Sequence, residues 1–327
     1  MEEFAYITKA NVVKEINNNL VFDKLLGKES CALTEIAEDT NLSFPTVARV
    51  VDSAIMQGFA LKSEIINASR GRKPQCYSLN GECAFSLFLF VWDNFICAQI
   101  RNFVGQKIYY QQFSYDKQNY LKDVENIIAQ MLLIKQIDLI VLALAGVVNE
   151  GVIVSYFHNA SYAGLEIEKQ LKKKFGINVI VENNMKILAK SAIYQVKDVN
   201  HCSVATIHIG ERTCNTAFLI DGVVLRGNNG FAGELAFLPM QEKAPKNEQI
   251  CSQYFMSIIA MINPTTAIVY NDNQSINLSI VIKLLKEQLP EKVVPNIILA
   301  KNLIEDALDG MNFIANEYRK KTFSKQV

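Results

Sequence analysis

Apolar side chains recur along this chain in two rhythms, one helical and one of short continuous runs. Val47, Val50, Val51, Ala54 and Ile55 fall at i, i+3, i+4, i+7 and i+8, the stripe of a helix with one buried face. Ser43 precedes the stripe as an N-cap whose hydroxyl accepts from an otherwise orphaned backbone N–H. Pro45 falls in the first turn, where a missing N–H costs nothing, and Gly58 stands where a C′ residue ends a helix. The opposite face carries Thr46, Arg49 and Ser53, all able to reach a phosphate or a base edge. A short helix, Thr34 to Asp39, precedes it across the turn Thr40-Asn41-Leu42. Two helices joined so closely suggest helix-turn-helix, although a helical hairpin in a core has the same pattern.

The flanks decide between these readings. Residues 8–27 predict a first helix, with Val12, Val13, Ile16, Leu20, Leu25 and Leu26 as its apolar positions. After Gly58, strand-like runs at Phe59–Lys62 and Cys76–Leu79 enclose a polar hairpin, Ser69-Arg70-Gly71-Arg72-Lys73-Pro74. Three helices followed by a ribbon with a basic tip form the winged helix-turn-helix plan. Candidate contacts to double-stranded operator DNA are Ser43, Phe44, Pro45, Thr46 and Arg49 on the helix, which would lie in the major groove. Arg70, Gly71, Arg72 and Lys73 on the wing would enter the minor groove or bind phosphates.

Asn80-Gly81-Glu82 marks a boundary, giving one domain over residues 1–80 and a second over 81–327. Beyond it the second rhythm takes over. Phe85–Trp92, Phe95–Arg101 and Lys107–Phe113 predict three strands, then a helix (Tyr120–Lys135) and a buried strand (Ile137–Ala143). The order repeats in Ser203–Ile209, Thr213–Ile220 and Val223–Leu225, a helix (Glu248–Ile262) and a strand (Ala267–Tyr270). Such a repeat indicates duplication with a cleft between lobes. Between the copies lie helix Leu165–Phe175, strand Val179–Glu182 and helix Met185–Tyr194; helix Ile280–Gln288, strand Asn296–Leu299 and helix Leu303–Lys321 close the chain.

Composition narrows the partners. The 327 residues are half apolar and one-fifth charged, as in soluble globular proteins, with 33 basic against 33 acidic side chains. No global field therefore draws the chain to nucleic acid. Within residues 40–80, however, five basic side chains face two acidic ones, a local excess of three that sits on the predicted recognition segment and wing. Seven scattered cysteines, never spaced C-x-x-C, suit a reducing cytosol and suggest neither a disulfide framework nor a zinc site. An acidic start, Met1-Glu2-Glu3, and apolar runs too short for a bilayer predict a cytoplasmic protein without membrane attachment.

These features, together with Ala145-Gly146-Val147-Val148, Val179-Ile180-Val181-Glu182-Asn183-Asn184, Ile220-Asp221-Gly222 and Gly230-Phe231-Ala232-Gly233-Glu234-Leu235, resemble the repressor, open-reading-frame and kinase (ROK) family. Asn263-Pro264 and Leu308-Asp309-Gly310-Met311 fit it too, so the resemblance covers essentially the whole chain. It implies an α/β fold in which the winged helix-turn-helix joins a duplicated actin/hexokinase-like (RNase H-like) two-lobe domain.

The departures from the family pattern matter as much. Family kinases carry Asn-Asp after the second-lobe strand, with the Asp as general base; this chain has Asn183-Asn184. An amide cannot take that proton, a loss of about 10²–10⁴ in rate. The turn at Asp93-Asn94 has no glycine and Gly210-Glu211-Arg212-Thr213 has one, where backbone approach to phosphate usually needs glycine. The family's zinc-binding His is replaced by Phe237, and Cys251 alone cannot hold a metal that wants about four ligands. The resemblance leaves His158, Asn159, Asn183, Asn184, Gly233 and Glu234 as candidate ligand-binding residues. His201 and His208 read as structural, and Trp92 as core. The preferred reading is a homodimeric or larger DNA-binding repressor of carbohydrate genes, without catalysis, cofactor or metal, whose kinase-like domain senses a sugar or sugar phosphate or only dimerises. The alternative is a sugar kinase or sensor with an N-terminal interaction module.

Overall fold

The computed structural model describes residues 2–64, 75–116, 118–155, 160–240 and 244–327. The N-terminal unit comprises α1 (Glu2–Leu26), β1 (Cys31–Ala32), α2 (Leu33–Thr40), α3 (Phe44–Met56), β2 (Ala60–Glu64) and β3 (Gln75–Leu79). The three strands form one antiparallel sheet in the order β1-β3-β2. Asn41, in the left-handed region at φ 55°, ends α2, and Gly58 at φ 80° follows α3. The predicted basic tip, Arg70, Gly71, Arg72 and Lys73, lies outside the described residues, as do His158 and Asn159.

Next come β4 (Phe85–Trp92), β5 (Phe95–Asn102), β6 (Lys107–Ser114), α4 (Tyr120–Ile134), β7 (Leu139–Leu144), β8 (Val147–Asn149) and β9 (Val152–Ser155). They are followed by α5 (Ile167–Phe175), β10 (Asn178–Asn183) and α6 (Asn184–Gln195). The second lobe contains β11 (Ser203–Ile209), β12 (Cys214–Ile220), β13 (Val223–Val224), α7 (Glu248–Ile262), β14 (Thr266–Asn271), α8 (Leu278–Gln288) and β15 (Asn296–Leu299), and α9 (Leu303–Gln326) closes the chain.

The repeat expected from sequence is visible as two five-stranded sheets, β10-β7-β4-β5-β6 and β13-β12-β11-β14-β15. Counted from the first strand of each lobe, both have the order 3-2-1-4-5 or its reverse, with antiparallel pairing on one side of the central strand and parallel pairing on the other. The continuous apolar runs become the central strands β4 and β7, buried on both faces as strands between helical layers must be. Edge strand β6 mixes polar and aromatic residues and is largely exposed, and its Lys107 and paired glutamines blunt pairing with other chains.

Helices α6 and α9 pack between the sheets in a shared core of Phe88, Phe90, Leu188, Leu219, Ile268 and Met311. Gly310 allows the crossing: a Cβ there would sit 2.1 Å from the Ile187 carbonyl oxygen. Helix α9 then runs on into the N-terminal unit, where Phe323 is fully buried with Phe22, Phe59 and Phe103. Asn18 Nδ2 donates to the Ser324 carbonyl (3.1 Å), and Lys320 pairs with Asp23 (2.5 Å). Arg319 is buried against β4, donating to Ser86 Oγ (2.9 Å) and Asn316 Oδ1 (2.8 Å), and burial lowers its pKa to about 10.

The first helix departs from expectation. It starts at Glu2, and from residue 11 onward its packing is supplied by Asn18, Val21, Phe22 and Leu25. Val12, Val13 and Ile16 are about half exposed, so the apolar stripe read from sequence is a core face only at its C-terminal end, where Leu25 is buried and Leu26 packs against the core. Strands β1, β8 and β9 had no sequence expectation, although the turn at Gly151 between the last two fits the family pattern.

Candidate functional site

Two surfaces carry the predicted chemistry. The first is the exposed start of α3. Ser43 caps it: its Oγ accepts from the Thr46 backbone N–H (3.4 Å) and lies 2.8 Å from Thr46 Oγ1. Pro45 occupies the first turn, and Val47, Val50, Val51 and Ala54 fix the buried face. That leaves Ser43, Phe44, Pro45 and Arg49 exposed, with Thr46 half-buried. A capped N-terminus, a guanidinium and an exposed ring within the first two turns of one helix can meet a phosphate and a base edge. Ser53 does not belong to this set, because its hydroxyl donates to the Val327 carbonyl (2.9 Å). Asn11, Lys14 and Asn17 of α1 share a groove of about 1220 Å³ with Arg49. Sequence reasoning passed over them because they read as the polar side of an ordinary helix.

The second surface is an interlobe cavity of about 810 Å³. Its floor is the junction of β10 and α6, where Asn183 caps the helix by accepting from the Lys186 N–H (3.1 Å) while its Nδ2 donates to the Gly146 carbonyl (2.7 Å). Asn184 is buried; its Nδ2 donates to the Val91 carbonyl (2.7 Å), and its Oδ1 has no partner among the described residues. Gly233 brings the opposite wall close: at φ 93°, a Cβ would meet the Thr216 carbonyl oxygen at 2.5 Å. The neighbouring Glu234 thereby enters the cavity lining. Burial raises the Glu234 pKa, opposed by Lys186, whose own pKa burial lowers. Lys186 donates to the Gly230 carbonyl, and Glu182 pairs with Arg226.

Beside β4 and β11 the cavity is lined differently. Trp92 stacks on Phe90 at 5.3 Å and sets its ring edge against His208 at 4.9 Å. His208 Nε2 lies 2.9 Å from Asp272 Oδ2. Trp92 and His208, read as core and structural from sequence, thus both line the cavity and join the lobes across it. Three segments far apart in sequence supply this group, and no local spacing announces it. Glu211 and Arg212 are exposed on the adjacent turn.

The family's zinc does not fit the donors present. Phe237 offers no lone pair, and Cys251 is buried in an apolar cluster that pushes its thiol up to about 12, away from the thiolate a zinc needs. Among the described residues, no three His, Cys, Asp or Glu side chains are grouped to hold a metal. Nor, among them, is any helix long and apolar enough to cross a membrane.

Residues 95–254 match the model of the ROK family. The xylose repressor of Bacillus spizizenii is 20% identical over 256 residues, covering 73% of this chain and 64% of that protein. The chain spans roughly three-fifths of the length of the curated relatives it matches. The crystal structure of a ROK family transcriptional regulator, a homologue of the E. coli MLC protein, superposes with TM-score 0.75 at 15% identity over 96% of this chain and 98% of that one. The ROK hexokinase of Thermus thermophilus superposes with TM-score 0.55 at 14% identity, over 69% of this chain and 96% of its own. Both likenesses establish a shared mixed α/β, actin/hexokinase-like fold.

Proposed function

Residues 95–254 form a ROK family domain, and from that premise we propose that the chain is a sugar-responsive transcriptional repressor. In this reading residues 1–80 are a winged helix-turn-helix that reads operator DNA, and residues 81–327 are an effector and dimerisation domain. The observation that carries it is the start of α3, where a capped helix leaves Phe44, Pro45 and Arg49 uncovered beside Lys14. Relatives bearing the name xylose repressor support the sign of regulation and a pentose as inducer. Arg70, Gly71, Arg72 and Lys73 are proposed as wing contacts, and a cytoplasmic homodimer matches the two half-sites of an ordinary operator.

The kinase reaction is proposed to be lost. Asn184 holds an amide where a general base would have to accept a proton, and its Nδ2 is already committed to the Val91 carbonyl. The side opposite is filled by Trp92 and His208, and Glu211 would repel a nucleotide's phosphates. What the cavity retains is a set of hydrogen-bonding groups suited to hydroxyls, at Asn183, Asn184 and Glu234, with Gly233 giving the close approach; His158 and Asn159 complete the proposed set.

Binding of labelled genomic DNA upstream of carbohydrate genes, measured by anisotropy with and without xylose, tests this. The expected result is a discrete, salt-sensitive complex that xylose weakens and Arg49→Ala removes. ADP release from ATP with any pentose or hexose, without DNA binding, would favour the kinase instead.

A further inference from the structure

We propose that α1 is a second DNA-contacting element, in which Asn11, Lys14 and Asn17 hold the phosphate backbone beside the groove that α3 reads. This rests on the DNA-reading assignment of residues 1–80 and extends it to a helix given no contact by sequence. The core-facing residues of α1, Val21, Phe22 and Leu25, pack with Val47, Val50 and Val51 of α3. Upstream of buried Asn18 the helix runs on, with Asn11 and Lys14 exposed and Asn17 half-buried. These three recur at every third position and line one wall of the groove of about 1220 Å³; Pro45, Arg49 and Asp52 line the other. The α1 wall is anchored to the end of α9, because Asn18 Nδ2 donates to the Ser324 carbonyl (3.1 Å) and Asp23 pairs with Lys320.

Charge selects the occupant of this groove. Lys24 and Lys28, at the other end of α1 and just past it, are paired with Asp39 and Glu35 of α2. Lys14 and Arg49 have no carboxylate partner among the described residues, and Asp52 is the single acid among those lining the groove. Two cations against one anion, with two asparagine amides as further donors, suit a phosphodiester strand. Distance then assigns the kind of contact. Packed helices lie about 8–10 Å apart, and the major groove is about 12 Å wide. With α3 seated in that groove, a helix packed beside it meets the groove wall, which is phosphate, rather than the base edges. Lys14 and the asparagines therefore add affinity and orientation, while sequence is read by α3.

Fluorescence anisotropy of the full chain with two labelled duplexes tests the proposal, one selected by the wild type from a random pool and one of equal length and random sequence. Lys14→Ala should lower the slope of log affinity against log salt by about one on both duplexes. It should also weaken both complexes about five-fold at about 0.15 M salt, which is what one phosphate contact contributes there relative to about 1 M. Lys14→Arg should restore both quantities, whereas Arg49→Ala should erase the preference for the selected duplex. Wild-type affinity and slope in Lys14→Ala, with Arg49→Ala still impaired, would overturn the α1 contact and leave the α3 reading intact. A loss of preference in Lys14→Ala without a change of slope would overturn the phosphate assignment. Failure of the wild type to bind either duplex would overturn both readings.

Discussion

Replacing Phe323 by alanine isolates the joint between the two halves of the molecule. The ring is fully buried and lies 5.2 Å from Phe22 and 5.7 Å from Phe59, centroid to centroid. Removing a buried Phe costs about 3–5 kcal/mol in transfer and cavity terms together. A unit of fewer than 80 residues rarely draws more than about 3–5 kcal/mol from its own core. The loss therefore matches the whole stability of the N-terminal unit, whereas Phe323 is absent from the cores of both lobes. The chain's single tryptophan, Trp92, sits at the cleft and reports only on the lobes. Urea unfolding should thus be followed by Trp92 fluorescence and by far-ultraviolet circular dichroism in parallel. The Phe323→Ala variant should lose helical signal at low urea while the fluorescence midpoint stays near that of the wild type. Coincident transitions at wild-type midpoints would refute the role assigned to the α9 end.

Other consequences are as direct. Gly310→Ala would place a methyl group 2.1 Å from the Ile187 carbonyl, and the forced shift of α9 from α6 should cost about 1–3 kcal/mol, read as a lower thermal midpoint; an unchanged midpoint would contradict the tight crossing. Burial raises the Glu234 pKa above its ordinary 4.5, so the folded state binds more protons than the unfolded chain above that pH, and stability is lost as pH rises through this window. Glu234→Gln should flatten that fall in urea titrations from pH 4 to 7, and a slope equal to the wild type would exclude Glu234 as its source. Arg72→Ala should reduce the salt slope of DNA binding by about one phosphate contact, and an unaltered slope would remove Arg72 from the interface.

The parts of this fold that were legible in sequence are those where local pattern and tertiary burial agree. The run Phe85–Trp92 gave β4 to the residue because a strand covered on both faces has no polar positions to confuse it. The capped helix at Ser43 was readable because cap, proline and stripe are all local. Periodicity failed at the start of the α1 stripe, since it reports that a face is apolar and not that anything packs on it; Val12, Val13 and Ile16 remain exposed. Strands β8 and β9 are three and four residues long, too short to show a period. In the cleft, Asn183 and Glu234 were found through a family pattern. Trp92, His208 and Asp272 were not, because their association exists only once two lobes have folded against each other.

The central claim is that the start of α3 reads DNA, and genomic footprinting of the wild type beside Arg49→Ala tests it most directly. The prediction is a small set of two-fold symmetric sites near carbohydrate genes, protected by the wild type and lost in the variant. Protection of no discrete site, or of the same sites by both proteins, would contradict it.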